Sequence, residues 1–151
     1  MSRVKDLQRK VIRELEETDE PVKAMAHLHG VSLAAVMIAK KRGEDPELAA
    51  MAGLLHDLHA YRSGSYDDHA HLGAELARKL LGKMQITTDE ETEIICSAIW
   101  HHDDKSSTDS PMDEVLKDAD VLDHTLSDPA KEIKEKELAR YEKVCGEFGL
   151  K

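Results

Sequence analysis

The sequence predicts an all-α protein, a compact bundle of six to seven helices, and three observations carry that expectation. Its apolar residues are mostly Leu, Ala, Val, Ile and Met, while aromatics number only one Trp, one Phe and three Tyr, a composition that favours helix over strand. Apolar positions recur at helical spacing, and short alternating strand patterns are absent. Capping residues, prolines and glycines punctuate the chain where helices start and stop. At 151 residues a single domain spanning 1–151 is expected, long enough to bury one substantial core.

Residues 3–17 carry a stripe of Val4, Leu7, Val11, Ile12 and Leu15 opposite charged side chains, the first helix. Pro21 suits the first turn of the second, which ends in Lys40, Lys41, Arg42 and Gly43, cations and glycine at a helix C-terminus. Asp45 and Pro46 open a third, which carries "HD", His56 and Asp57, in its last turns. After the loop "RSGSYDD", "HAHLGAELARKLL" forms a fourth helix stopped by Gly82. Thr88 with Glu91 makes a capping box for a fifth through "EIICSAIWHH". Ser110 and Pro111 start a sixth, "MDEVLKDADVLDHTL", and Asp128 with Pro129 starts a seventh reaching about Phe148. In that last helix Ile133, Tyr141, Cys145 and Phe148 form a stripe read as packing, with a homodimer seam as its alternative.

Net charge is −10, with acidic residues spread along the chain. That argues against a nucleic-acid polymer as partner, because a sequence-independent grip on one needs a basic surface. A nucleotide stays open, since a bound metal can supply positive charge. Cys96 and Cys145 stand far apart in no metal-binding spacing, the pattern of a reduced, cytoplasmic protein. "MSRVKDLQRK" is helical and charged, unlike a signal peptide. The apolar run "VSLAAVMIA" is too short to span a bilayer, so no membrane partner is expected.

The chemistry is concentrated in the middle. The nine histidines fall at 27, 29, 56, 59, 69, 71, 101, 102 and 124, avoiding both ends. Candidate ligands sit on separate helices: His27, then His56 and Asp57, then His69, then His101 or His102, then Asp120. Helix bundles assemble metal sites in this way, with nitrogen and carboxylate ligands projecting inward. Asp118 reads as a solvated carboxylate and His71 as a surface group. His29, His59 and His124 read as outer partners or surface groups.

In order, "HLHGV", "AGLLHDLH", "HAHLGAELARKLL", "AIWHHD" and "LKDADVLD" resemble the HD-domain superfamily of metal-dependent phosphohydrolases, over about residues 22–126. The resemblance implies metal ligands at His27, His56, Asp57 and Asp120. His69 with His101 or His102 implies a second metal, bridged by Asp57, which also takes the catalytic role. The spacing leaves open which of the two neighbouring histidines binds. Ligands of nitrogen and oxygen without thiolate suit one or two divalent ions of Fe, Mn, Co, Ni or Zn. Arg62 and Lys105 follow the ligand positions in loops, where cations can meet phosphate oxygens.

The fuller ligand set is similar to that of the bacterial symmetrical diadenosine tetraphosphate hydrolases. The chain departs from them after the histidines, reading "HHDDKSSTDSPMDE" without their threonine-glycine signature. It also lacks the Gly-Tyr-Pro element of the cyclic-di-GMP phosphodiesterases. The expected activity is hydrolysis of a phosphate ester or anhydride of a small molecule, a nucleotide, by metal-activated water. The alternatives are a di-iron oxygenase of the HD type and a non-catalytic nucleotide-binding sensor.

Overall fold

The computed structural model describes residues 2–151. Eight helical segments follow one another: α1 (Arg3–Leu15), α2 (Pro21–Arg42), α3 (Pro46–Leu55), α4 (Leu58–Ser63), α5 (His69–Met84), α6 (Asp89–His101), α7 (Pro111–Leu126) and α8 (Glu135–Glu147). No strand occurs among the described residues, so the all-α expectation holds. The eighth segment arises because the expected third helix is two. The chain leaves α3 at His56, and Asp57 sits at φ −114°, ψ 9° before α4 begins. That region of backbone space is sparsely used in regular structure and frequent at functional residues.

Local chemistry accounts for the helix starts. The Asp45 carboxylate accepts from the backbone N–H of Glu47 at 2.9 Å and of Leu48 at 3.2 Å, and Pro46 follows it. Thr88 and Glu91 form the reciprocal capping box at α6, satisfying N–H groups that a helix terminus otherwise orphans. Two expected boundaries move. The α5 helix runs through Gly82 and ends at Gln85, which takes a left-handed conformation with φ 55°. The last helix begins at Glu135, because Asp128 and Pro129 make a turn instead, Asp128 O accepting from Lys131 N–H at 3.0 Å.

At the centre, α2 packs between α3 and α7, with Leu28, Val31, Ala35 and Ile38 all fully buried. By length and composition α2 is long and apolar enough to cross a membrane, which corrects the expectation drawn from its shorter apolar run. Here it is the middle of the bundle. Its close approach to α3 depends on Gly53, where a Cβ would lie 2.6 Å from the Ser32 Cα. Cys145, Tyr141 and Phe148 pack on the protein's own core, while Ile133 lies apart from them beside a cavity.

Ion pairs fasten the periphery. Asp118 is fully buried, not solvated: it pairs with Arg42 at 2.6 Å and with Arg140 at 3.0 Å. Fully buried Lys117 reaches Asp109 at 2.6 Å and the Ser107 carbonyl at 2.8 Å. Buried charges persist when paired and hydrogen-bonded in this manner. Near the other end, Arg3 binds both Glu91 oxygens at 2.9 Å, joining α1 to α6.

The Arg3 hydrogen bond holds the Glu91 carboxyl down at about 2, from an ordinary 4.5. A carboxyl depressed on folding contributes stability above its unfolded pKa and loses it as pH falls through the folded one. Glu91→Gln keeps the helix cap and removes the charge. Its melting temperature is therefore expected to lie below wild type at pH 7, with the difference shrinking from about pH 4.5 towards pH 2. A constant difference across that range, read by circular dichroism, would show that the ion pair contributes nothing.

Candidate metal centre

Five chain segments bring their polar side chains to one place. His27 comes from α2, His56 and Asp57 from the break between α3 and α4, His69 from the start of α5, His102 from the end of α6, and Asp120 from α7. Two groups able to hold an ion result, His27 with His56, Asp57 and Asp120, and Asp57 with His69 and His102; within each, the ligand atoms lie no more than 4.8 Å apart. Asp57 belongs to both. Its Oδ2 stands 3.1 Å from His27 Nε2 and 3.3 Å from His56 Nε2. Its Oδ1 stands 3.2 Å from His102 Nε2 and 3.6 Å from His69 Nε2. One carboxylate oxygen thus faces each group.

The imidazoles are set for ligation. His56 Nδ1 donates to Gly53 O at 2.7 Å, His69 Nδ1 to Tyr66 O at 2.9 Å, and His102 Nδ1 to Ile99 O at 2.6 Å. A carbonyl oxygen only accepts, so the proton of each neutral ring is on Nδ1 and the bare Nε2 points into the cluster. For His27 the acceptor is Asp123, at 2.7 Å. Gly30 makes room for it, since a Cβ at that position would collide with the Asp123 carboxylate.

The arrangement calls for a cation. Nε2 of His27 and Nε2 of His56 are 3.1 Å apart, two lone pairs face to face in the neutral rings. Asp120 Oδ1 is buried without a hydrogen-bond partner, a cost that native proteins rarely leave uncompensated. Burial favours neutral imidazole, yet the Asp57 and Asp120 carboxylates drive His56 up to about 10. Burial is likewise outweighed at His27, where Asp123 and Asp57 raise the ring to about 8. Burial opposes ionisation of Asp57 and Asp120 too, but the His56 charge on Asp57 and the Lys105 ammonium with His56 on Asp120 hold both carboxyls well below their usual range. A divalent ion can replace those protons as the counter-charge. The all-nitrogen-and-oxygen donor set fits such an ion.

Of the remaining expected residues, Lys105 is close and Arg62 is not. Lys105 Nζ binds Asp120 Oδ2 at 2.8 Å and lines the adjoining cavity. Arg62 instead pairs with Glu14 of α1 at 3.2 Å and does not line it. Of the two neighbouring histidines, His102 faces the cluster. His101 turns away, donating from Nδ1 to Ser97 O at 2.8 Å, beside Asp113.

His124, expected as an outer partner or surface group, and Asp123, which sequence reasoning missed, complete the surroundings. His124, stacked on His27 with centroids 5.4 Å apart, places Nε2 3.4 Å from Asp120 Oδ1 and Nδ1 3.1 Å from Glu137. The one available signal for Asp123 was spacing, three positions beyond Asp120 on one helical face. A cavity of about 620 Å³ opens above the cluster, with Lys23, Lys131, Lys134 and Lys136 on its wall. The last three precede or open α8, in the stretch expected to be continuous helix.

A family model for the HD domain matches residues 24–125. The chain belongs to the HD domain family. Among solved structures, this HD domain is similar to a predicted HD superfamily hydrolase from an uncultured Thermotogales bacterium, at 27% identity and TM-score 0.66, over 96% of this chain and 88% of that one. A predicted HD superfamily hydrolase involved in NAD metabolism from Clostridium acetobutylicum shares the fold, at 22% identity and TM-score 0.63, over 92% and 76%. Among curated proteins it resembles ribonuclease Y of Lawsonia intracellularis, 30% identical over 126 residues, and of Staphylococcus epidermidis, 34% identical over 122 residues. Both matches cover 80% of this chain, which spans only 23% and 20% of those relatives.

Gly30 provides a test of how the HD-domain cluster is held. Gly30→Ala is expected to push Asp123 off His27 Nδ1, freeing that ring to turn, and to weaken metal affinity by about 10–100-fold, the usual effect of losing a partner behind a ligand. Competition with a metal-binding dye measures it. Unchanged affinity would mean that Asp123 does not orient His27.

Proposed function

We propose that this HD domain is a metal-dependent phosphohydrolase that cleaves a phosphate ester or anhydride of a nucleotide. The observation that carries the reading is Asp57, one of whose oxygens faces each of two ligand groups. Ions held there would supply Lewis acidity, drawing electrons from a phosphoryl oxygen and lowering the pKa of water. In this reading His27, His56, Asp57 and Asp120 hold the first ion, and Asp57, His69 and His102 the second. Backbone carbonyls and Asp123 lock the imidazoles by their Nδ1–H groups, so that no ligand must reorient during the reaction.

The cavity wall supports phosphate as the substrate's reacting group. Lys23, Lys131, Lys134 and Lys136 line the cavity beside the cluster, together with Asp128, Glu132 and Glu137, and ammonium groups there can attract and position phosphate oxygens. Lys105, now on Asp120, is near enough to exchange that contact for a substrate oxygen. The ribonuclease Y relatives bear a name that speaks of cleaving RNA, a nucleotide polymer joined by phosphodiesters. This chain's net charge of −10 favours a small nucleotide over a polymer as substrate.

Purified protein, supplied in turn with Mn, Fe, Co, Ni and Zn, should be screened against nucleotides, dinucleotides, a short RNA and base-free phosphoesters, with and without oxygen. Release of phosphate or nucleotide in both atmospheres is the expected result. Oxygen-dependent turnover without phosphate release would make it an oxygenase. Nucleotide binding with no turnover under any metal would make it a sensor.

A further inference from the structure

The α5–α6 pair carries two ring contacts, one on each side of its seam. On the inner side His69 meets His102 edge to face, with centroids 5.1 Å apart. On the outer side His71 stacks on Trp100 at 3.9 Å and an interplanar angle of 25°. The two contacts oppose one another because His69 and His71, like Trp100 and His102, are two positions apart, roughly 200° around a helix. Over the edge between them lies a second hollow of about 210 Å³, lined by Tyr66, His69, His71 and Trp100 and by three aspartates, Asp68, Asp103 and Asp104. Tyr66, His69 and Asp103 also line the large cavity. The hollow is therefore contiguous with the metal cluster on its His69 side.

Its aromatic content is out of proportion to the chain. Five aromatic residues occur in 151, and two of them, Tyr66 at 59% and Trp100 at 44% exposure, stand open to solvent around this one hollow. Trp100 is stacked on His71 yet keeps exposed surface, and exposed aromatic surface gains free energy when another flat ring covers it. Asp103, with a side chain 61% exposed, stands between the hollow and the cluster with only acceptor oxygens to offer. A ring seated there meets stacking surface and an acceptor for its N–H groups. A phosphate joined to it through a sugar would reach past His69 towards the ions.

We infer that the Trp100–His71 stack, with Tyr66, is a nucleobase-binding platform beside the metal centre. The inference rests on the phosphohydrolase reading and names the part of the substrate that the centre does not itself touch. Stacking recognises bases by their π faces and tolerates different sequences, so the platform selects nucleotides over other phosphoesters.

Trp100 is the only tryptophan, so indole fluorescence of the full chain, excited beyond the absorption of its three tyrosines, reports on this hollow. Titration with adenosine and guanosine 5′-monophosphates is expected to quench it saturably, and ribose 5-phosphate is expected to leave it unchanged. By calorimetry, Trp100→Leu should weaken nucleotide binding about tenfold or more, in line with the loss of one base–aromatic stack, while ribose 5-phosphate binds as before. His71→Ala should weaken nucleotide binding in the same selective way. Where a nucleotide is turned over, both variants should raise KM and leave kcat near wild type. Calorimetric binding of nucleotides without any fluorescence change, or equal affinity for nucleotide and ribose phosphate, would overturn the platform. Its failure is distinct from that of the hydrolase reading: hydrolysis of ribose phosphate without base-dependent quenching removes the platform alone. Quenching by nucleotides with no hydrolysis of any phosphoester removes the hydrolase reading and leaves the platform.

Discussion

Asp57→Ala is expected to abolish metal retention and hydrolysis together. The two ligand groups share no residue other than Asp57, so a single substitution takes the only carboxylate from one group and leaves the other with Asp120 alone. Four imidazoles, of His27, His56, His69 and His102, lose their nearest common carboxylate at the same time. Elemental analysis of dialysed protein should then find less than one equivalent, and activity should fall to background. Circular dichroism separates this from unfolding. A folded variant that keeps its metal and its rate would show that Asp57 is a buried structural group. Loss of stability at unchanged specific activity would lead to the same conclusion.

His69→Ala should have the next largest effect, and a different one. The group of His27, His56, Asp57 and Asp120 is complete without His69, whereas the group of Asp57, His69 and His102 falls to two protein ligands. Metal-replete wild type is expected to hold about two equivalents, as two-ion phosphoryl-transfer sites do, and the variant about one. The second ion should be the weaker even in wild type, since it has fewer protein ligands and shares Asp57. Hydrolysis should slow by more than the about 10–100-fold typical of losing an outer partner. One equivalent at saturation, unchanged in His69→Ala, would reduce the centre to a single ion with the extra histidines left to orient substrate.

Helical periodicity and capping chemistry were legible because both are local. The convergence of the candidate ligands could be anticipated because each sits in a short segment of characteristic text. What escaped the sequence depends on contacts between distant segments. Whether His101 or His102 turns inward is decided by how α6 ends, where adjacent side chains differ by about 100° and one rotation suits only one of them. Asp118 read as solvated because nothing nearby in the chain reveals Arg42 and Arg140, its partners from α2 and α8. Arg62 could be read only as a candidate phosphate contact or an ordinary solvated charge, because Glu14, its partner, lies far away in sequence. The lysines of the α7–α8 connection were hidden inside a presumed helix, and the turn at Asp128 and Pro129 is what brings them to the cavity.

The scatter of the ligands along the chain has a polymer-physics consequence. His27, Asp57, His69, His102 and Asp120 divide the chain into successive loops, and an ion that joins them closes those loops as a cross-link would. Each closure removes conformations that the unfolded chain would otherwise sample, with a free-energy effect that grows only as the logarithm of loop length. Ions that bind the folded chain and not the random one also draw the equilibrium towards it by mass action. Ions held by this cluster would thus act as reversible staples across the segment from His27 to Asp120.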